Sequence, residues 1–466
     1  MTQTSWPAIS IDRNDPLPVF EQICAAIRSR AVNGQLPAGS KMPPTRALAA
    51  ELGVSRSTVI TAYDQLVAEG YLSARQGSGH VVCAMGEVEM TARPPIRSAP
   101  APQAPPGPRP FAAGTPDMRL FPYRQWAKTV ARLCRTNPQA MFSTGDSFGN
   151  PALREAIVAH LRDWRGIDTA PHQVIITAGA TDALELCMRT LTGPGDAVAL
   201  ETPGYPPLHA FSAAQGLQTV LLPIDDEGAT LPARDRAAKL AILTPSHQYP
   251  LGGAMSPSRR RAFVNWAQTT GGWIVEDDYD SEFRYAGRPI PAMAGGDRLG
   301  RTIYVGSFSK IFSNALRLGY LVVPVPLAGR FRATLNRFGL RAGSMPQQVL
   351  AEFMASGEFY RHLRRVRRIY TERRRYLFDR LARDFESFGR AVDHHAGMQA
   401  VLHLRDGYQD TEISALAEGQ GITIEPLSRY AAGSSGANGL VLGFCAFSET
   451  EMQPALDRLL GLLVKM

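Results

Sequence analysis

The sequence predicts an α/β chain in two parts: a small helical module ending in a β-ribbon, then a large body on a mostly parallel sheet with a smaller α+β lobe. Three observations predict this. Strand-like apolar runs (QVIIT, AVALET, LAILT, GWIVED, RTIYVGS, RLGYLVV) alternate with helical stretches, the pattern of a parallel sheet covered by helices. A proline-dense stretch, residues 85–110, interrupts the chain ahead of them. Before that stretch the spacing reads helix, helix, tight turn, helix, ribbon.

The elements of the first part follow from local chemistry. Leu17–Val32 carries Val19, Ile23 and Ile27 at helical spacing and stops near Asn33-Gly34. Thr45 is expected to cap a short helix, Arg46–Leu52, closed by Gly53; Ser55 caps the next, Arg56 to about Glu69, with Val59, Tyr63 and Leu66 on one face. YLSARQGSGHVVC then reads as two short strands about a glycine turn. The expected boundaries are 1–84 for this module, 85–110 for a semi-rigid linker rich in polyproline II, and 111–466 for the body. From about residue 347 long helices (Gln347–Arg383) and a few strands suggest the smaller lobe.

Composition excludes several classes. With 44% apolar and 20% charged residues, the chain can bury large cores. It has no apolar run of about 18 residues, and its first residues do not read as a secretory signal, so a cytoplasmic protein without a membrane span is expected. Five scattered cysteines, without a CxxC pair, argue against a disulfide framework or a metal site. The net charge of +8 is compatible with nucleic acid, yet residues 1–84 hold seven Lys/Arg against six Asp/Glu. The dense basic run Arg361–Arg375, with Leu363, Val366, Ile369 and Tyr370 as an apolar stripe, reads as a solvated helix face.

Two constellations carry chemistry. SRSTVITAYDQL would present Ser55, Arg56, Ser57, Thr58 and Thr61 at a helix start, short hydroxyls for phosphates and one guanidinium for a base edge. An ordinary capped helix in an interaction module has the same pattern. Residues 17–82, in PAGSKMPPTRALAAELGVSRSTVITAYDQLVAEGYLSARQGSGHVV, resemble the winged helix-turn-helix of the GntR family. The resemblance implies contacts with a double-stranded DNA operator through Arg46 and Arg56, with Ser57 and Thr58 beside them and Gln76 and Gly77 at the wing. Ile60 stands where some members carry a second arginine.

In the second constellation, GSFSKIFSNALRLGY sets Lys310 after a strand, among Ser307 and Ser309, with Arg317 beyond. An amine beside hydroxyls and a guanidinium suits an aldehyde that carries a phosphate. A lone loop lysine is equally an ordinary solvated charge. In GWIVEDDYDSEFRY, Asp277 follows an apolar strand, where a buried carboxylate needs a cation; Tyr279 lies two residues on. Solvated loop acids are the alternative. VIITAGATDALEL offers a strand-to-helix turn for a phosphate near Ala180 and Thr181, and ETPGYPPL offers Tyr205 as either a ring-stacking or a merely packed aromatic.

Taken in order, TPSHQYPLGG, EDDYDSEFRY and SFSKIFSNALRLGY resemble the fold-type-I pyridoxal 5'-phosphate enzymes of the class I aminotransferase group. With the module in front, the chain resembles the MocR subfamily of GntR-type bacterial regulators. The resemblance implies a Schiff base at Lys310, with Asp277 at the pyridine nitrogen and Tyr279 at the phenolic oxygen. Ala180, Thr181, Ser307, Ser309 and Arg317 would hold the phosphate, and Tyr205 would stack on the ring. Tyr249 would touch the cofactor where an asparagine is usual, and Arg429 would meet an effector carboxylate. Two further departures stand out: Val441 replaces the usual substrate-carboxylate arginine, and Thr144 a tyrosine often sent across a dimer. Losing orienting groups while keeping the Schiff-base lysine favours a sensor of a small amine or amino acid, or of the cofactor itself, with at most slow residual transamination. A homodimer would suit paired operator half-sites. The competing readings are an active aminotransferase with a vestigial DNA-binding domain and a cofactor-free dimeric scaffold.

Overall fold

The computed structural model describes residues 9–75, 79–84, 109–143, 145–233, 237–287, 290–339, 342–433 and 436–466. The chain divides into two compact units, Met1–Ala104 and Pro105–Met466. Of the expected linker, residues 85–108 lie outside the described residues. Its last two residues belong to the large unit: Arg109 pairs with Glu418, and Thr423 N donates to Pro110 O at 3.0 Å.

The first unit is α1 (Val19–Val32), α2 (Thr45–Leu52), α3 (Arg56–Ala68), β1 (Leu72–Arg75) and β2 (Gly79–Val82), the two strands antiparallel. Ile23, Ile27, Leu48, Val59, Tyr63 and Leu66 form its core. The expected cap at Thr45 is corrected: Thr45 is already helical, and Pro44, in extended conformation, precedes the first turn without a side-chain bond. Ser55 caps α3 as expected, its Oγ accepting from Thr58 N at 3.1 Å.

The large unit is built on an eight-stranded sheet. Its strands in chain order are β3 (Val174–Thr177), β4 (Ala197–Thr202), β5 (Gln218–Asp225), β6 (Gly228–Ala229), β7 (Ala238–Leu243), β8 (Trp273–Asp278), β9 (Thr302–Ser307) and β10 (Gly319–Val322). The spatial order is β3-β10-β9-β8-β7-β4-β5-β6. The pairs among β5, β4, β7, β8 and β9 are parallel. RLGYLVV, read as one more parallel strand, runs antiparallel to both neighbours. The reason is the connection: between Ser307 and Gly319 the chain makes only tight turns and one 3-10 turn, Asn314–Leu316, without the crossover helix a parallel return requires. The sheet is thus mixed, with a parallel centre.

The smaller lobe carries an antiparallel sheet, order β11-β12-β14-β13, from β11 (Gly389–Ala391), β12 (Gln399–Leu404), β13 (Glu425–Pro426) and β14 (Gly439–Gly443). The long helical stretch is two helices, Ser344–Ala355 and Glu358–Asp384, separated at Ser356-Gly357. The basic run divides by helical phase. Arg361, Arg364, Arg365, Arg368 and Arg375 are exposed. Arg373 and Arg374 are buried and engage Asp117 and Asp393, so the reading of the whole run as a solvated face holds only for the exposed half. All five cysteines are free. Among the described residues no helix is long and apolar enough to cross a membrane, and no cluster of His, Cys, Asp and Glu suits a metal ion.

Candidate functional site

The carboxyl ends of β4, β8 and β9 open on one cavity, the place where parallel sheets bind ligands. Its volume is about 350 Å³. Lys310, Asp277, Tyr279, Ala180, Thr181, Tyr205, Tyr249, Ser307, Ser309 and Arg317 all line it, so every residue expected around the cofactor is brought together.

Lys310 Nζ donates to Gly114 O at 2.7 Å. Burial lowers the pKa of its ammonium, while Asp280 and Asp277 act in the other direction. Gly114 (φ +64°) was not found from sequence, because its carbonyl arrives from a segment 196 residues away. A Cβ there would sit 2.8 Å from Nζ, the mobile end of the lysine, so it is the left-handed backbone that favours glycine.

Asp277, at the end of β8, is buried, and its Oδ1 has no hydrogen-bond partner among the described residues. Burial, with Asp278, Glu201 and Asp280 nearby, pushes its carboxyl up to about 8; only Lys310 opposes the rise. A buried acceptor without a donor, on the wall that also holds an amine, fits a cationic N–H such as a protonated pyridine nitrogen.

Gly179 leads into the helix Ala180–Leu191, whose N-terminus lines the cavity at Ala180 and Thr181 with the positive end of its dipole. Thr181 Oγ1 and Tyr205 Oη lie 2.9 Å apart, and Ser309 N donates to Ser307 Oγ at 3.2 Å. Arg317 stands exposed at the rim with a left-handed backbone (φ 45°), a conformation a non-glycine residue holds where its surroundings fix it. Hydroxyls, helix amides and a guanidinium suit a phosphate.

Tyr249 is packed edge-on against Tyr205, Tyr279 and Tyr430, with ring centroids 5.9, 5.4 and 5.4 Å away. It also lines a second cavity of about 480 Å³ containing Arg429. Arg429 is therefore not brought to Lys310: it lies beyond Tyr249 and is held by Glu425 at 2.5 Å. The loop bearing Tyr249 is tied down by Glu201, whose carboxylate accepts from Thr244 N (3.0 Å), Thr244 Oγ1 (2.5 Å) and Gln248 Nε2 (3.3 Å). Burial pushes Glu201 up to about 7 against those three bonds. Val441 is fully buried in β14 beside Val401, Leu427 and Tyr430, an apolar seat with no place for a substrate carboxylate.

On the first unit Arg46, Ser55, Arg56, Ser57 and Thr61 are exposed and Thr58 is half-buried. Ser55 Oγ lies 2.7 Å from both Ser57 Oγ and Thr58 Oγ1, and Thr61 Oγ1 donates back to Ser57 O at 3.0 Å. Arg56 Nε reaches Thr45 Oγ1 at 3.4 Å, a weak tether that leaves most of the guanidinium free. Ile60 is 38% exposed on the same helix. Gln76 and Gly77, like Thr144, lie outside the described residues. Arg56→Ala is expected to weaken operator binding by roughly 1–3 kcal/mol in fluorescence anisotropy, and unchanged affinity would place the reading helix elsewhere.

A helix-turn-helix module joined to a sheet-based cofactor cavity defines a class, DNA-binding regulators with an aminotransferase-type domain. Sequence comparison specifies it. The family "Bacterial regulatory proteins, gntR family" matches residues 20–82, and "Aminotransferase class I and II" matches residues 111–459. The chain is 36% identical to "Probable rhizopine catabolism regulatory protein MocR" of Rhizobium meliloti, over 96% of this chain and 94% of that protein. It is 35% identical to "HTH-type pyridoxine biosynthesis transcriptional regulator PdxR" of Corynebacterium glutamicum, over 96% of each. Among solved structures, a kynurenine aminotransferase of Pyrococcus horikoshii superposes with a TM-score of 0.70 at 25% identity, over 76% of this chain and 90% of that one. An archaeal alanine:glyoxylate aminotransferase gives 0.71 at 25% identity, over 76% and 91%. The chain belongs to the MocR-type regulators of the GntR family. That membership implies DNA binding and pyridoxal 5'-phosphate as cofactor.

Proposed function

We propose that this chain is a transcription regulator that holds pyridoxal 5'-phosphate on Lys310 and responds there to a small amine or amino acid, or to the cofactor itself. The observation that carries the reading is the unpartnered, buried Asp277 Oδ1 on the wall it shares with Lys310. When bound, the cofactor supplies an aldehyde that condenses reversibly with amines and a ring that draws electrons. Lys310 Nζ is the amine, and its lowered pKa leaves more of it unprotonated and nucleophilic. Asp277 faces the pyridine nitrogen and becomes an ionised partner to it. Tyr279 meets the phenolic oxygen, Tyr205 covers the ring, and Tyr249 closes the side toward Arg429. Ala180, Thr181, Ser307, Ser309 and Arg317 hold the phosphate.

Signalling requires an effector with different affinity for two arrangements of the protein. Lys310 supplies two: its Nζ either engages the cofactor or donates to Gly114 O. Gly114 lies four residues beyond Pro110, on the chain leading back to the DNA-reading unit. The seat at Val441 gives no anchor for an amino-acid carboxylate, so any transamination is slow and incidental. A homodimer presents two reading heads to paired half-sites.

Gly114→Ala should tighten cofactor binding by roughly threefold in an absorbance titration, because the new Cβ crowds Nζ only where it donates to Gly114 O; weaker binding would mean that this contact does not compete with the cofactor. The reading itself is tested by DNA binding to the gene's own upstream region beside single-turnover transamination with a panel of amino acids. DNA binding that responds to an amine supports it; fast turnover without DNA affinity contradicts it.

A further inference from the structure

Behind Tyr279 sits a pair of buried side chains that the cofactor reading leaves unassigned. His247, in the loop after β7, and Asp280, just beyond β8, are 5% and 2% exposed. His247 Nδ1 lies 3.0 Å from Asp280 Oδ1 and 2.9 Å from Tyr279 Oη, so one nitrogen serves both oxygens. The proton inventory decides their roles. A carboxylate only accepts, so the contact with Asp280 requires a proton on Nδ1. A protonated Nδ1 cannot accept from Tyr279, so the tyrosine oxygen is an acceptor here as well. Its own O–H must then point elsewhere, and Tyr279 is on the wall of the cavity shared with Lys310 and Asp277.

The ring is also seated rigidly. Gly397 (φ +81°) passes so close that a Cβ there would collide with His247 Cε1, and a Cβ at Gly252 would stand 3.3 Å from Nε2. Backbone on two sides keeps the imidazole from turning away.

We infer that His247 and Asp280 are positioning residues that lock the Tyr279 hydroxyl as a hydrogen-bond donor into the cavity, toward the cofactor's phenolic oxygen. The inference rests on the proposed cofactor site. A donor at that oxygen stabilises its anionic form, which lowers the pH at which the lysine-bound cofactor loses its imine proton. Removing the donor raises that pH. Other titratable and charged groups around the pair and around Tyr279 are His394, Arg165, Glu282, Arg284, Arg367, Asp277, Glu201, Tyr249 and Lys310, and all remain in place in the variants below.

The test is a pH titration of the visible absorbance of the cofactor-loaded protein, compared among wild type, Tyr279→Phe, His247→Leu and His247→Asn. His247→Leu removes the Nδ1–H that holds the Tyr279 oxygen and should raise the midpoint by about one pH unit, as Tyr279→Phe does. His247→Asn restores an N–H at the position of Nδ1 and should bring the midpoint back toward wild type. A midpoint that moves in Tyr279→Phe but not in His247→Leu overturns the inference while leaving the cofactor site intact. A wild type that develops no visible band removes the cofactor reading and this inference with it. Nitrogen-15 histidine spectra of the wild type need no variant to fold: a proton on Nδ1 of His247 is expected, and a proton on Nε2 alone overturns the assignment.

Discussion

Lys310→Ala is expected to abolish the covalent, borohydride-reducible attachment of pyridoxal 5'-phosphate to the protein. The side chain is the amine of the cavity, and the other groups there can hold the phosphate and the ring but form no bond to the aldehyde carbon. Non-covalent binding should survive in weaker form, because Ala180, Thr181, Ser307, Ser309 and Arg317 are untouched. The loss should therefore be complete in the mass of the borohydride-reduced protein but partial in equilibrium dialysis. Cofactor mass retained on borohydride-reduced Lys310→Ala would mean that another amine carries the cofactor. The variant should also lose any response of DNA binding to amines, since both of the proposed states of Nζ are gone.

Arg165→Ala should cost the large unit roughly 3–5 kcal/mol of stability, read as a lower urea midpoint. Arg165 ends the helix Pro151–Arg165 and its side chain is 6% exposed. Its Nη2 pairs with Asp278 Oδ2 at 2.7 Å and donates to Ser246 Oγ at 2.8 Å; Nη1 donates to Ile290 O at 2.6 Å. Burial works against the guanidinium charge, but Asp278, Tyr304 and Glu276 outweigh it and raise its pKa. Truncation leaves Asp278 in the interior with the Tyr304 hydroxyl, 2.5 Å away, as its remaining side-chain donor. Because Asp278 adjoins Asp277, the damage should reach the cofactor cavity and lower cofactor affinity as well. A midpoint within about 0.5 kcal/mol of wild type would mean that water solvates Asp278 in the variant.

Much of the site was legible in the sequence because its residues sit in short motifs at strand ends. A strand that ends in Asp277-Asp278 or Ser307 announces a carboxyl edge, and Lys310 follows three residues after Ser307. What escaped is what comes from distant segments. Gly114 reaches the site through folding alone, and nothing in FAAG marks it; Glu201 and His247 lie inside ETPGYPPL and TPSHQYPLGG, but their roles depend on partners at Thr244, Gln248, Tyr279 and Asp280 that the motifs do not reveal. Apolar runs also do not encode direction, so the antiparallel course of β10 had to come from its short connection. Charge runs conceal phase: Arg373 and Arg374 point inward to Asp117 and Asp393 while Arg364 and Arg368 face solvent. The expectation for Arg429 was local too, and it did not foresee that Arg429 lines a second cavity with Tyr249 and pairs with Glu425.

The central claim, that the chemical state of Lys310 governs DNA binding, has one direct measurement. Cofactor-loaded protein on its own upstream DNA is titrated with a panel of small amines and amino acids, while absorbance and DNA anisotropy are recorded together. At least one compound should shift both signals at the same midpoint in wild type and neither in Lys310→Ala. An absorbance shift across the whole panel without any change in DNA affinity would contradict the account.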